Sequence, residues 1–517
     1  MIRGVKIALV VLGLLVLVFI TYSWLQLRDR HPGYKLDLEL KGEREGEMKA
    51  GFAKVDITPS SFDTWMDVEG NARYLPSEGD TFNDLNGNGV FDAVWLAGFH
   101  QNRPASGVND PLWSRCMVLQ DGNSTIGFCV LDMIGFLHDD LITMRKRVQQ
   151  KLGLDHLIIS STHVHSSPDL MGMWGPKPWK SGVDPNYLEQ VFQGIETSLA
   201  LALENLEPAY FRFAKNGSEA LPLVGDTRMP QVFDAGIRVM QVLSVDSNKT
   251  LGSILNWGNH PETFWAGNTR ISSDFPHYWR EYMENGIQLG DSIIHEGLGG
   301  VAIFMNGAVG GLMTTRPDHP IVHPYKGDTL LGTSVEKVNA QGLALAKISF
   351  EAMASGMVET RKANISLFTK TVTLPLDNPL FRLAALVGIF DRGLTGWGKI
   401  RSEVAVWSLG PATFVHVPGE LYPEILNGGI ESPEGADYDI KPVEVPDIRS
   451  QMPGSFRFFS GMSNDMIGYI VPKSQWDEKP PYTYGNEKAP YGEVNSLGPE
   501  TAPIIHREVL GLLQRLK

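Results

Sequence analysis

Two histidines separated by one residue are the part of this sequence best suited to do chemistry. His163 and His165 follow the apolar run 157–159 and precede the breaker cluster 166–169. That order predicts a buried strand delivering both imidazoles to a loop, and side chains two apart on a strand share a face. A neutral imidazole binds metals and carries protons near pH 7. The pair predicts a shared cavity, with hydrogen bonding inside a core as the alternative.

Three further segments place a polar side chain at a predicted strand end. They finish on His260, Glu420 and Tyr469, and a fourth strand runs into the glycine-rich turn 306–313. Each segment alone is a weak signal, because polar residues at strand ends are common.

The loop that begins at Asp84 has the oxygen spacing of a calcium site. Side-chain oxygens fill its first, third, fifth and ninth positions, which are Asp84, Asn86, Asn88 and Asp92. Position twelve is Trp95 instead of a bidentate glutamate, which argues against an EF-hand. The spacing predicts a structural Ca²⁺ loop closed by another carboxylate such as Asp80. An Asx-rich turn without metal is the alternative.

The charge balance excludes nucleic acid as a partner. The 517 residues carry a formal net charge of -14, and phosphate binding needs a basic face. The apolar and charged fractions are those of a globular protein.

An apolar run near the start of the chain predicts a membrane helix. Residues 7–27 are nearly uncharged, and about 20 helical residues span the roughly 30 Å of a bilayer core. Arg3 and Lys6 precede the run, which favours a body outside the cytoplasm, either periplasmic or extracellular. No small-residue cleavage site is evident, so we expect a retained anchor over 1–28 instead of a removed signal peptide.

The rest of the chain predicts an α/β fold. Residues 29–49 are charged and are expected to form a linker with a first strand near its end, and 50–517 to form one large domain with mixed sheets flanked by helices. Helices are predicted over 187–206 and over 335–354, the latter with a capping box of Thr333 and Glu336. The apolar run 379–390 predicts either a buried helix or an exposed apolar lip near a lipid-facing site, and the buried helix is favoured.

The only two cysteines, Cys116 and Cys129, flank a hairpin turn signal at 121–124. They are expected to face each other across the ladder. A disulfide in an oxidising compartment and a pair of buried thiols are both open.

Taken together and in this order, the polar segments resemble the neutral/alkaline non-lysosomal ceramidase family. The resemblance includes the opening strand 51–59 and covers nearly all of the chain from residue 51. It implies the catalytic domain of that family and one Zn²⁺ ion bound by two histidines, a glutamate and a tyrosine. The implied ligands are His163, His260, Glu420 and Tyr469.

The same resemblance assigns three further roles. His165 matches a histidine beside the metal and could pass a proton from water to a leaving amine. Arg228 loosely matches an arginine that reaches toward the substrate. Asp274 matches an acidic position that orients a ligand or pairs with an amine.

Two departures from the family pattern stand out. Gly310 occupies the position of an essential serine, and glycine offers no hydroxyl nucleophile. Thr314 and Thr315 follow soon after but are weak substitutes. The family's C-terminal β-sandwich domain is also expected to be absent, because the chain stops soon after 498–500.

The leading hypothesis is a membrane-anchored zinc hydrolase that attacks a lipid or small N-acyl amide, such as ceramide, through water. The alternatives are an esterase, a catalytically silent zinc or ligand-binding protein on the same scaffold, and a structural envelope protein without metal.

Overall fold

A computed structural model of the chain describes residues 2–42, 44–390 and 392–517. The helices within them are α1 Ile2–Leu27, α2 His138–Leu152, α3 Pro185–Glu204, α4 Phe275–Asn285, α5 Val335–Ala354, α6 Pro379–Leu386, α7 Pro423–Asn427, α8 Ile448–Gln451, α9 Tyr491–Val494 and α10 Thr501–Leu516. The strands are β1 Asp37–Lys41, β2 Met48–Asp56, β3 Thr64–Met66, β4 Thr81–Asn83, β5 Gly107–Val108, β6 Trp113–Gln120, β7 Thr125–Leu131, β8 His156–Ser161, β9 Glu207–Asn216, β10 Gly225–Asp226, β11 Ile237–Ser244, β12 Thr250–Trp257, β13 Arg270–Ile271, β14 Gly286–Leu289, β15 Ser292–Glu296, β16 Val301–Asn306, β17 Met313–Thr314, β18 Ile321–Val322, β19 Thr329–Leu330, β20 Val358–Thr360, β21 Ile365–Pro375, β22 Lys399–Leu409, β23 Ala412–His416, β24 Glu420–Leu421, β25 Phe456–Ser460 and β26 Tyr469–Ile470.

Two sheets packed face to face form the centre of the molecule. The larger has the strand order β16-β12-β11-β9-β2-β6-β7-β8, with β20 added beside β9, and the smaller has the order β1-β21-β22-β23-β25. The pairs β7–β8, β12–β16 and β23–β25 are parallel, so both sheets are mixed. Phe128 and Phe211 of the larger sheet share one core with Trp407 and Phe414 of the smaller. Burial of these inner faces is the main force holding the sheets together.

Helices cover the outer faces of both sheets. Val191 of α3 and Leu345 of α5 belong to the cores on the outer side of the larger sheet, and Val509 of α10 belongs to the core outside the smaller one. The molecule is therefore a four-layer α/β fold, which confirms the predicted fold class.

The predicted helices form for the expected reasons. At α3, Asp184 accepts a hydrogen bond from the amide of Asn186, and Pro185 fills the first helical position. The predicted bounds of α5 are correct, but its cap is Ser334, which accepts from the amide of Lys337, and Thr333 lies outside the helix.

The segment predicted as a linker is closely tied to the body. It contains β1, which pairs antiparallel with β21, and Asp29, whose carboxylate lies 2.6 Å from the guanidinium of Arg401. The helix before it, α1, includes a stretch, Gly4–Leu27, that is long and apolar enough to cross a membrane.

The hairpin at Asp121 forms as predicted and carries a disulfide. The carboxylate of Asp121 accepts from the amides of Asn123 and Ser124. Cys116 and Cys129 are register partners across β6 and β7, and they are bonded to each other. The sequence left open whether these cysteines are bonded or free, and in this structure they form a disulfide.

The apolar segment after residue 378 does not form the buried helix that its composition favoured. It gives the short helix α6, in which Ala385 is the one buried residue. Leu380 and Leu383 are 61% and 55% exposed. The exposure agrees with the alternative interpretation, an apolar lip.

Candidate metal centre and the cavities beside it

His163 and His165 do meet in one site, but strand alternation is not the reason. β8 ends at Ser161, and both histidines lie in the loop after it. His163 has a φ of 68°, a left-handed conformation that costs free energy in a residue other than glycine. The positive φ turns the chain so that the two rings come within 4.9 Å of each other, centroid to centroid.

A buried asparagine ties this loop to the loop that carries His260. The side-chain amide of Asn306, at the end of β16, donates to the carbonyl oxygens of Thr162 and Asn259. The amide of His165 donates to the carbonyl of Pro261. The glycine-rich segment identified in the sequence therefore positions both histidine loops.

The proton positions of two imidazoles follow from their backbone partners. Nδ1 of His163 lies 2.7 Å from the carbonyl oxygen of Ile134, and Nδ1 of His260 lies 2.8 Å from that of Met313. A carbonyl oxygen only accepts, so each Nδ1 carries a proton and each Nε2 is the ring nitrogen left to face the cluster. This arrangement orients metal-binding histidines in proteins.

His165 is held by a carboxylate that the sequence analysis did not single out. Its Nδ1 lies 2.7 Å from Oε2 of Glu262, and its Nε2 lies 3.4 Å from Nε2 of His163. Burial lowers the pKa of His165 to about 4, although Glu262 opposes the shift. The imidazole is therefore neutral near pH 7. The position of Glu262, two residues after His260, was the available signal.

Glu420 and Tyr469 reach the same place from neighbouring short strands. They are register partners in the parallel pair β24–β26. The carboxylate of Glu420 lies 3.0 Å from Nε2 of His260 and 3.5 Å from Nε2 of His163. Burial raises the pKa of the Tyr469 phenol well above its usual range, and the nearby Glu420 raises it further.

The donor set is rich in lone pairs. His163, His165 and His260 form a buried group whose ligand atoms all lie within 4.8 Å of one another. With the Nδ1 atoms of all three rings facing oxygens, three Nε2 atoms and the carboxylate of Glu420 converge. Such atoms repel one another unless a cation or shared protons lie between them. Nitrogen and oxygen ligands in this number suit zinc.

Two predicted catalytic residues, Arg228 and Asp274, have partners other than the histidines. The guanidinium of Arg228 is 2.5 Å from Glu493 and stacks on the ring of Tyr422, 4.6 Å from its centroid. Asp274 begins α4 and accepts from the backbone amides of Phe264 and Phe275. The carboxylate thus holds the loop that follows Glu262 in place through hydrogen bonds from backbone amides.

Gly310 has no room for a side chain. A Cβ atom there would lie 2.5 Å from Cδ2 of Tyr422 and 2.7 Å from the carbonyl oxygen of Glu420. The turn therefore packs directly beneath the strand that carries Glu420, and position 310 cannot present a hydroxyl in this packing.

The loop from Asp84 to Asp92 has the hydrogen bonds of an Asx-rich turn. Asp84 accepts from the amides of Gly87 and Gly89, while Asp92 accepts from the side-chain amides of Asn86 and Asn88. Calcium binding here remains a prediction.

Two cavities border the His165–Glu262 pair. One is an apolar cleft that reaches His163, His165, Glu420 and Tyr469. Its walls are mainly apolar, and they include Leu137, Met171, Trp174, Phe381, Ala385, Phe390, Met466 and Leu497. The other is an open pocket that contains Glu262, Thr314 and Arg316. His165 borders the first cavity, and its partner Glu262 borders the second, which also carries the charged side chains of Arg316 and Asp318.

The sequence matches no protein-family model, and no curated protein matches it. The four-layer α/β body is similar in fold to solved neutral ceramidase structures.

The chain is similar to the neutral ceramidase from Pseudomonas aeruginosa, with a TM-score of 0.60 and 14% identity, over 91% of this chain and 75% of that chain. A ceramidase described as complexed with C2 gives a TM-score of 0.61 and 13% identity over the same shares. At these identities the likeness establishes the fold.

Proposed function

We propose that this protein is a zinc-dependent hydrolase of an N-acyl amide, with a lipid amide such as ceramide as the implied substrate class. The observation that carries the proposal is the convergence of three imidazole rings and the Glu420 carboxylate in one buried site. The ceramidase-type fold supports the reaction class.

His163, His260, Glu420 and Tyr469 would hold the ion, with the two Nδ1–H groups anchored on carbonyl oxygens. A bound zinc ion supplies an electrophile for a carbonyl group and lowers the pKa of water to about 7. Tyr469 lies beside Glu420, so its phenol joins the ligand set or donates to that carboxylate.

His165 would act as the proton carrier. Its Nε2 faces the cluster as a free lone pair, and its Nδ1 is fixed by Glu262. Nε2 accepts the proton that the attacking water loses and then donates it to the departing amine nitrogen. Glu262 stabilises the imidazolium formed between these two steps, and Asp274 positions the backbone after Glu262.

The two cavities would bind different parts of the substrate. The apolar cleft, walled by groups such as Phe381 and Met466, suits an acyl chain. The open pocket beside Glu262 and Thr314 suits a polar amine portion. A scissile amide between them would lie against the histidine cluster.

The location we propose is a membrane anchor with the body outside the cytoplasm. Two observations support it. The Cys116–Cys129 disulfide is typical of an oxidising compartment. The end of α1 packs on the body, where Ser23 is buried and the hydroxyl of Tyr22 donates to the carbonyl of Val387, which argues against removal of α1 as a signal. A structural Ca²⁺ at Asp84 is a secondary proposal that rests on spacing alone.

The test is metal analysis joined to hydrolysis of N-acyl amides and esters, with chelation and zinc add-back. We expect zinc in the purified protein and hydrolysis that chelation abolishes and zinc restores. His163→Ala and His260→Ala should lose both metal and activity, whereas Thr314→Ala should be mild because water is the nucleophile.

Three outcomes contradict parts of this proposal. Hydrolysis that survives chelation contradicts the metal mechanism. Zinc without turnover of any amide or ester indicates a silent binding protein on the ceramidase scaffold. Near-total loss in Thr314→Ala with zinc retained indicates a hydroxyl nucleophile in place of water.

A further inference from the structure

One face of α6 lines the cleft and the adjacent face is open to solvent. Phe381 and Ala385, four residues apart, form part of the cleft wall. Leu380 and Leu383, on the other side of the same short helix, are 61% and 55% exposed. A single exposed leucine needs no explanation, but two beside the wall of an apolar cavity form a patch.

The membrane-length helix docks immediately after α6. The hydroxyl of Tyr22 donates to the carbonyl of Val387, at 3.0 Å, and the amide of Leu394 donates to the carbonyl of Leu27, at 3.1 Å. The apolar stretch of α1 is otherwise unburied by the body. Wherever α1 enters a bilayer, α6 must therefore lie close to the surface of that bilayer.

An exposed tryptophan lies next to the same helix. Trp397 is 88% exposed. Trp397 belongs to the turn before β22, and the next residue in that turn is Gly398. The carbonyl of Gly398 accepts from the amide of Leu376, and Gly398 lies beside the guanidinium of Arg382 in α6. Tryptophan is enriched where proteins meet the lipid head groups.

We propose that Leu380, Leu383 and Trp397, here called the α6 lip, insert into the bilayer leaflet that holds the end of α1. The occupant of this face is lipid. The cleft then opens toward the leaflet, so an N-acyl lipid slides its acyl chain past Phe381 without crossing water. The insertion stands on geometry alone, whereas the delivery of substrate rests on the proposed function.

Insertion can be measured without catalysis. A polarity-sensitive fluorophore is attached at Leu383→Cys in the full chain, reconstituted in phosphatidylcholine nanodiscs, one protein per disc. The native cysteines are bonded to each other and do not react. Ile293→Cys is the matched control, since Ile293 is 60% exposed on the β14–β15 hairpin. Nitroxide groups on the lipid acyl chains should quench the probe at 383 severalfold and leave the probe at 293 unchanged.

Equal quenching at the two positions would overturn the insertion. A probe at 383 that is shielded from water but not quenched by lipid nitroxides would also overturn it, because that result indicates a protein partner or a second copy on the lip.

Delivery is tested with two substrates. The double variant Leu380→Ser/Leu383→Ser should lose about tenfold in hydrolysis of a long-chain N-acyl lipid embedded in vesicles, because two apolar side chains no longer enter the leaflet. Hydrolysis of a short-chain, water-soluble N-acyl amide should be unchanged. The control is Val322→Ser/Ile293→Ser, whose parent side chains are 54% and 60% exposed.

The two failures are distinguishable. If the wild type hydrolyses neither substrate but the 383 probe is quenched, the proposed function fails and the insertion stands. If both substrates are hydrolysed and the lip variant loses nothing on vesicles, delivery through the lip fails and the proposed function stands.

Discussion

The His165–Glu262 pair gives the sharpest test of the proposed chemistry. The change is Glu262→Gln, which keeps the shape of the side chain and removes its charge. Two opposite unit charges 2.7 Å apart attract by about 6 kcal/mol at an effective dielectric of about 20, and this figure is a ceiling on what Glu262 gives an imidazolium. General acid–base catalysis contributes about 10²–10⁴-fold, or roughly 3–5 kcal/mol. We therefore expect kcat to fall by about 10²–10⁴-fold.

The assay is steady-state hydrolysis of a soluble N-acyl amide, with zinc content and Tm measured on the same preparations. KM should change little, because Glu262 acts on the proton carrier and not on the acyl chain. His165→Ala should cost about as much as Glu262→Gln, and the double variant should cost little more. The control is Glu359→Gln, which removes a glutamate paired with Arg212 at 2.9 Å on the surface.

Two results would refute this reasoning. A kcat close to the wild-type value with zinc retained means that Glu262 does not support proton transfer. Loss of zinc in both single variants means that His165 is itself a ligand and Glu262 its supporting carboxylate.

Three further predictions concern the framework of the site. Gly310→Ser should lower the stability by about 1–3 kcal/mol, because its Cβ would lie 2.5 Å from Tyr422; differential scanning fluorimetry should show a lower Tm with no gain in amidase activity, and an unchanged Tm would contradict the packing. Burial raises the pKa of Asp274 to about 7 despite its backbone hydrogen bonds. The native state thus binds more protons than the unfolded state between about pH 4 and 7, and its stability falls as the pH rises through that window. The Tm of Asp274→Asn relative to wild type should therefore be more favourable at pH 8 than at pH 5, and equal differences would refute the shift. Reduction of the Cys116–Cys129 bond, whose cysteines are 13 residues apart, should lower the free energy of unfolding by about 3 kcal/mol. The reductant should therefore lower the Tm of the wild type but not that of Cys116→Ser/Cys129→Ser.

Much of the fold could be predicted because it depends on local patterns. Strands such as β7 and β12 are short apolar runs between turn signals, and α3 and α5 have an apolar stripe with a capping residue at the start. Periodicity of this kind is set by which face of an element is buried. The packing of two sheets against each other involves contacts between distant parts of the chain, and no local pattern encodes it.

The proximity of the four proposed ligands could not be read from local patterns. His163, His260, Glu420 and Tyr469 lie in segments that the sequence singled out, and the structure brings them together. The left-handed turn at His163 depends on anchors in distant segments, such as the carbonyl of Ile134. Strand alternation therefore predicted a shared cavity for His163 and His165, although a turn after the strand is what brings their rings together.

Other features depended on surroundings that a sequence does not display. In the sequence Glu262 is an ordinary loop carboxylate, and only the fold places it beside His165. The apolar segment at Leu380 predicted burial in protein, but Leu380 and Leu383 on its outer face are more than half exposed. Apolar composition reports only that a segment avoids water, and it does not distinguish a protein core from a membrane.

The direct contact between α1 and the body has a mechanical consequence. The last turn of α1 is hydrogen-bonded to the body through Leu27, and Asp29, two residues later, is paired with Arg401. There is no flexible linker between α1 and the body, so if α1 anchors the protein as proposed, the helix would fix the height and tilt of the cleft above the bilayer. An enzyme mounted in this way cannot sample the surrounding solution on a tether. It would encounter substrate by lateral diffusion within a single leaflet, and its rate would depend on the surface density of that lipid.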